Sequence, residues 1–246
     1  MKWILFVLLC TIYATGETPL PEPHAPEILT PQSFANYDET ETAKVPPDRI
    51  AYLTIDDGPT EEVTVRMLDV LKEYNVKATF FVLPHEEVDH LYKRILAEGH
   101  AIGNHSYSHD YAKLYAADDG TFFREDITQA AAWLEERFGH KATLFRFPGG
   151  SWSWDAAMIA RRKEILEELG YRTFDWDVST GDTDPSPAGR DPNALISNVM
   201  AQSENREKLI VLMHDSANKQ ATAEALPELI CALRAEGYSF ATLEQY

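Results

Sequence analysis

From Asp48 onward, short β-rich runs alternate with longer runs whose apolar residues recur at i, i+3 and i+4. RIAYLTI, KATFFVLP, HAIGNH, ATLFRFP, RTFDWDVS, KLIVLMH and SFATLE have the composition of strands. Between and after them lie TEEVTVRMLDVLKEYN, EVDHLYKRILAEG, DITQAAAWLEERFG, AAMIARRKEILEELG, NALISNVMAQSE and ATAEALPELICALRAEG, which have helical periodicity. Several of these stop at a glycine (Gly99, Gly139, Gly170 and Gly237), the residue that most readily ends a helix. A chain that alternates in this way lays its strands parallel and covers them with helices, because each parallel crossover needs a connection long enough to hold one. The expected architecture is α/β, a single domain over residues 48–246 with about seven parallel strands in a sheet that is open or closed into a barrel. In such folds functional side chains gather where strands end and loops toward helices begin.

The strand ends here are rich in such side chains. The first strand ends in TIDDGPT, with Asp56 and Asp57 adjacent, and the third runs into GNHSYSHDY, with His105 and His109. The fourth ends in FRFPGGSWSW with Arg146 and a double-glycine turn, the fifth carries Asp175, Trp176 and Asp177, and the sixth ends in LMHDS with His214. Two neutral imidazoles four residues apart can converge on one cation, and a carboxylate from a neighbouring strand end completes a two-His, one-carboxylate set with positions left open. Zn²⁺ suits those donors, and Co²⁺, Ni²⁺ or Fe²⁺ also accept them. One of the two aspartates would hold the cation. The other would take the proton from a water molecule that attacks beside it. His214 could protonate a leaving group, and backbone N–H groups of the PGG turn could stabilise an oxyanion. Arg146 and Asp175 could fix a carboxylate and an imidazole respectively. His85, His100 and His140 read as structural, and Asp182, set among Gly, Pro and Ser, reads as a turn residue.

The N-terminus, MKWILFVLLCTIYATGETPLPEP, sets Lys2 before an apolar run from Trp3 to about Ala14, the layout of a secretory signal peptide, expected over residues 1–16. The run is short for a membrane span, so an uncleaved anchor is the alternative. Residues 17–47, rich in Pro, Glu and Thr, are expected to form a flexible linker. Loss of the leader removes Cys10 and leaves Cys231 as a buried thiol without a disulfide partner. An exported protein follows, secreted or held at the cell surface, with the membrane touched only through the leader or anchor. The net charge of −18 argues against a nucleic-acid partner and against docking on an anionic membrane.

The motifs taken together resemble, in order, those of the polysaccharide deacetylases of the nodulation-protein type, carbohydrate esterase family four. TIDDG is similar to the first motif, with Ile55 where Phe is usual, and HSYSH, RFPGG, DWDVSTGD and LMH follow as the other four. The resemblance runs from about Ile50 to Gln245. It implies a distorted (β/α) barrel of about seven strands, and hydrolysis of the amide C–N bond of N-acetylglucosamine in a glycan. It implies Asp56 as general base, Asp57, His105 and His109 as ligands of a divalent metal, Zn²⁺ first, and His214 as general acid. It further implies Arg146 coupled to Asp56, Asp175 coupled to His214, the Gly149 amide in the oxyanion hole, and Trp176 with Leu212 around the acetyl methyl group. Gly149–Gly150 stands where an aromatic residue is frequent, and Trp152 and Trp154 could either restore a sugar-stacking surface or pack onto the domain. A monomer acting on peptidoglycan or a chitin-type oligomer is expected. An O-acetyl esterase on xylan, a catalytically silent glycan-binding module and a hydrolase of a small cyclic amide are the other readings.

Overall fold

A computed structural model describes residues 49–246; the expected leader and linker lie outside the described residues. Eight strands, β1 Ile50–Asp56, β2 Thr79–Val82, β3 Ala101–Asn104, β4 Leu144–Phe145, β5 Arg172–Thr173, β6 Val178–Ser179, β7 Lys208–His214 and β8 Ser239–Phe240, form one parallel sheet. Its order is β5-β4-β3-β2-β1-β7-β6, and β8 pairs with the start of β1. Helices α1 Thr64–Glu73, α2 Asp89–Ala97, α3 Tyr111–Leu114, α4 Thr121–Phe138, α5 Ala156–Glu168, α6 Pro192–Ser203 and α7 Gln220–Ala235 connect and cover the strands. The curled sheet with its helices is the distorted (β/α) barrel expected from the alternation.

Side chains alternate between the two faces of each strand, and that period sorts the core. On β1, Leu53 and Ile55 join a large apolar cluster with Met67, Leu68 and Leu71 of α1 and Leu226, Leu229 and Ile230 of α7. Tyr52 belongs instead to a smaller cluster with Phe81, Leu144 and Ile210, which fills the bottom of the barrel interior. Two residues further along the same inward rows stand Thr54, Leu212 and Arg146, and two further again Asp56 and His214. Polar chemistry therefore sits in the interior at the C-terminal strand ends, above an apolar plug. Gly103 leaves room inside this interior for Phe81, whose ring lies 2.5 Å from where a Cβ would stand.

The segment RTFDWDVS is not one strand. Its first part pairs with β4 through Phe145↔Thr173, and its last part pairs with β7 through Ser179↔Leu212 at the other edge of the sheet. Between them Phe174 donates its N–H to Phe145 O at 3.0 Å and Asp177 donates to Ile210 O at 2.9 Å. One extended segment thus changes partners and joins the two edges of the curled sheet, which satisfies backbone groups that a single pairing would leave open. Asp175 and Trp176 lie at this crossing, at the mouth of the barrel.

Candidate active site

Adjacent residues of a strand point to opposite faces, so two neighbouring aspartates cannot share a cavity unless the backbone turns between them. Asp57 does this with φ +80°, outside the strand region. Its N–H still follows the ladder to Phe81 O at 3.2 Å, and its carbonyl meets His85 Nε2 at 3.1 Å. The loop after β3 is folded in a comparable way: Ser106 and His109 have positive φ, and Asp126 accepts from the N–H groups of Tyr107 at 2.7 Å and Ser108 at 3.1 Å. As a result Asp57 Oδ1 stands 3.5 Å from His105 Nε2 and 3.4 Å from His109 Nε2.

These three residues fit a divalent cation. Donor atoms on a tetrahedral ion at about 2.0–2.2 Å lie roughly 3.3–3.6 Å apart, the spacing that Asp57 keeps from both imidazoles. His105 donates from Nδ1 to Arg146 O at 2.9 Å, so its Nε2 keeps a lone pair for the cavity. Burial pushes His105 down to about 3, which holds the imidazole neutral as a ligand must be.

Asp56 is buried beside this set. Its Oδ1 accepts from Arg146 Nη1 at 2.9 Å, as expected. Arg146 is wholly buried; Nη1 also donates to Thr54 Oγ1 at 2.7 Å, Nε to Phe174 O at 3.0 Å and Nη2 to the carbonyl of Asp175 at 3.0 Å. Its guanidinium lies 4.4 Å from the centre of the Phe81 ring. Burial raises the Asp56 pKa above its ordinary value, while Arg146 and His214 oppose the rise. Register brings His214 close to Asp56, since β1 and β7 pair residue for residue through Asp56↔His214.

The partner of His214 is Asp182, not Asp175. Asp182 Oδ1 meets His214 Nδ1 at 2.8 Å, and Oδ2 accepts from the His214 N–H and from Thr222 Oγ1, both at 2.9 Å. Burial works against a charged His214, but the Asp182 carboxylate outweighs it and the pKa is raised. Asp175 instead accepts from the N–H of Ser151 at 2.9 Å and from its hydroxyl, and so holds the turn after β4. The cause is the chain path: β6 turns away from β5 to pair with β7, which carries Asp182 to His214 and leaves Asp175 behind. Asp182 is therefore no mere turn residue. The pairing of β6 with β7 was the only signal for it, and that is tertiary. Asp177 serves the backbone, accepting from the Ile210 N–H at 2.8 Å.

Gly149, at φ +75°, follows Pro148 in a turn closed by Gly150 N–H to Phe147 O at 2.8 Å. Among the described residues the Gly149 N–H meets no acceptor, as an oxyanion donor requires. Leu212 is buried and Trp176 half-buried on the inward side. His100 and His140 are hydrogen-bonded to backbone, the structural role expected of them.

Asp215 was not singled out by sequence. It is fully buried behind the aspartates; Oδ2 accepts from Thr64 Oγ1 at 2.6 Å and its carbonyl from Thr60 Oγ1 at 2.7 Å, and burial raises its pKa to about 7. A Cβ on Gly58 would stand 2.2 Å from the Asp215 carboxylate. Gly58→Ala is accordingly expected to destabilise the fold by about 1–3 kcal/mol through overpacking, seen as a lowered urea midpoint with unchanged slope. An unaltered midpoint would show that the loop is free to shift.

The polysaccharide deacetylase family signature matches residues 43–174, more than half of the chain. The chain belongs to the polysaccharide deacetylase family. Among its relatives, the putative polysaccharide deacetylase YheN of Bacillus subtilis is 36% identical over 205 residues, which cover 80% of this chain and 68% of that protein. The peptidoglycan-N-acetylglucosamine deacetylase PgdA of Listeria monocytogenes is 34% identical over 80% of this chain, but the match spans only 38% of PgdA. The catalytic domain of a peptidoglycan N-acetylglucosamine deacetylase from Eubacterium rectale superposes with a TM-score of 0.72 at 32% identity, over 80% of this chain and 90% of that one. The family also contains a Bacillus anthracis pseudoenzyme, similar at 27% identity and a TM-score of 0.67 over 81% of this chain and 66% of that one. Membership alone does not make an enzyme, so the side chains must carry that inference.

Proposed function

We propose that this protein is a divalent-metal-dependent hydrolase that removes the acetyl group from N-acetylglucosamine residues of a glycan, with peptidoglycan the first candidate and a chitin-type oligomer the second. The convergence of two separate sets carries this reading: Asp57 with His105 and His109, and the registered pair Asp56 and His214, each with its own buried partner. A pseudoenzyme need not keep all of these groups together.

A divalent cation, Zn²⁺ best by donor chemistry, would be held by Asp57, His105 and His109, and when bound would polarise the acetyl carbonyl and make water more acidic. Asp56 takes the proton from the attacking water. Arg146 fixes the carboxylate that receives the proton. The Gly149 N–H donates to the oxygen on which negative charge develops. His214 holds one proton on Nδ1 against Asp182, which leaves Nε2 to protonate the departing amine nitrogen. Collapse of the tetrahedral species then breaks the C–N bond and gives acetate and a free amine. Leu212 and Trp176 enclose the methyl group in an apolar wall.

Asp57→Ala, His105→Ala and His109→Ala should each lose bound metal. The loss should exceed the roughly 10–100-fold that follows removal of an outer-sphere partner, measured as metal retained after dialysis. Full metal content in all three variants would overturn the ligand set. Acetate release compared between peptidoglycan fragments, chitooligosaccharides and acetylated xylan tests the substrate, and release from xylan alone would replace the amidase by an O-acetyl esterase. Export through residues 1–16, with residues 17–47 as a tether, belongs to the same proposal, since a wall glycan lies outside the membrane.

A further inference from the structure

Residues 147–150 form a β-turn, closed by the Gly150 N–H to Phe147 O at 2.8 Å. Pro148 is its second residue and Gly149, at φ +75°, its third, which is the pattern of a type II turn. A type I turn has the same ends and differs by a half-rotation of the one peptide between these two residues. Proline at the second position suits both forms, and glycine at the third takes either sign of φ with similar ease. The choice matters because this peptide carries the Gly149 N–H. A trans peptide points its N–H opposite to its C=O, so whatever holds the Pro148 carbonyl also aims the Gly149 N–H. Two side chains hold it. Tyr115 Oη donates to Pro148 O at 2.8 Å, and Trp154 Nε1 donates to the same oxygen at 3.4 Å. Their rings stack at 3.9 Å with 17° between planes. Tyr115 is buried, and burial raises its pKa, so the hydroxyl keeps the proton it donates. The following peptide is fixed as well, since Ser153 Oγ donates to Gly149 O at 2.7 Å. Trp152, in the same loop, stays 57% exposed.

We propose that Tyr115 and Trp154 are positioning residues of the oxyanion hole: by holding the Pro148 carbonyl away from the cavity, they keep the turn in its type II form and the Gly149 N–H directed at the oxygen that gains charge. A turn that flipped to type I would withdraw this donor and present the Pro148 carbonyl in its place, where its partial negative charge would oppose the oxyanion. The same bonds strengthen the donor, because a hydrogen bond accepted by a peptide carbonyl polarises the N–H of that peptide. This rests on the function proposed above and deepens it, since two residues outside the metal and proton-transfer sets take a share in transition-state stabilisation.

NMR of the isotope-labelled full-length protein reads the turn directly, because the Pro148 Hα lies close to the Gly149 N–H in type II and farther from it in type I. Tyr115→Phe keeps the stacked ring and removes the donor. It should weaken the nuclear Overhauser effect between those two protons. It should also lower kcat for acetate release from an N-acetylglucosamine tetramer by about 10–100-fold, less than the roughly 10²–10³-fold that follows loss of a whole oxyanion donor. KM and bound metal should stay as they are, since the donor acts on the transition state. Trp154→Phe, which deletes the longer bond, should lose less, and the double variant should approach the full loss. Tyr238→Phe removes a buried phenol hydroxyl that donates to Ser203 O and Arg206 O near the start of β1, and should move neither readout. An undiminished Overhauser effect in the double variant would overturn the assignment, and so would a flipped turn at full kcat. A turn that flips in the double variant of a protein whose wild type releases acetate from no acetylated glycan would keep the hold on the Pro148 carbonyl and overturn the hydrolase reading.

Discussion

Asp56→Asn is expected to lower kcat by roughly 10²–10⁴-fold while leaving bound metal in place. Asparagine keeps the shape of the side chain and can still face Arg146, but it cannot accept a proton from water. In the proposed site the ligand carboxylate is that of Asp57, whose Oδ1 faces both imidazoles, so the metal set should survive the change. The neighbouring variant Asp57→Ala should do the reverse and lose the metal. Metal content and turnover measured side by side on the two variants separate the roles, and metal loss in Asp56→Asn would assign the ligand wrongly.

Asp182→Asn should also lower kcat by on the order of 10²–10⁴-fold, because His214 loses both the charge that keeps it protonated and the acceptor that fixes its Nδ1 proton. The pH profile gives the sharper readout. An acid works only while it holds its proton, so activity falls as the pH rises through the pKa of His214. Asp182 raises that pKa above the ordinary 6.5, and its replacement lets burial pull the value back down. The alkaline limb of kcat/KM should therefore move to lower pH in Asp182→Asn. Asp175→Asn, which loosens only the turn at Ser151, should leave that limb where it is. A limb that moves in Asp175→Asn and stays in Asp182→Asn would contradict the observed hydrogen bonding.

The sequence carried most of the frame because parallel strands buried on both faces read as continuous β-rich runs, and four of the helices end at glycines with positive φ. Asp56, Asp57, His105, His109, Arg146 and His214 were legible for a related reason: each closes a strand or opens the loop after it, where topology puts active sites. What stayed hidden depends on partners distant in sequence. Residues 172–179 have strand composition throughout, and nothing local tells that the two halves pair with opposite edges of the sheet. Asp182 follows from that switch and was masked by its Gly, Pro and Ser neighbours. Asp215 follows His214 in the sequence with no local signal of its own, and only packing sets it behind Gly58. Trp152 and Trp154 share one short loop, and only the fold separates the stacked ring from the exposed one.

Acetate release from an N-acetylglucosamine tetramer by the full-length protein, before chelation, after it, and again once Zn²⁺ is returned, measures base and metal chemistry together. The predicted result is release that vanishes on chelation, returns with Zn²⁺ and stays absent in Asp56→Asn under every condition. Release at an undiminished rate from the chelated protein, or from Asp56→Asn, would contradict the division of labour between Asp56 and Asp57.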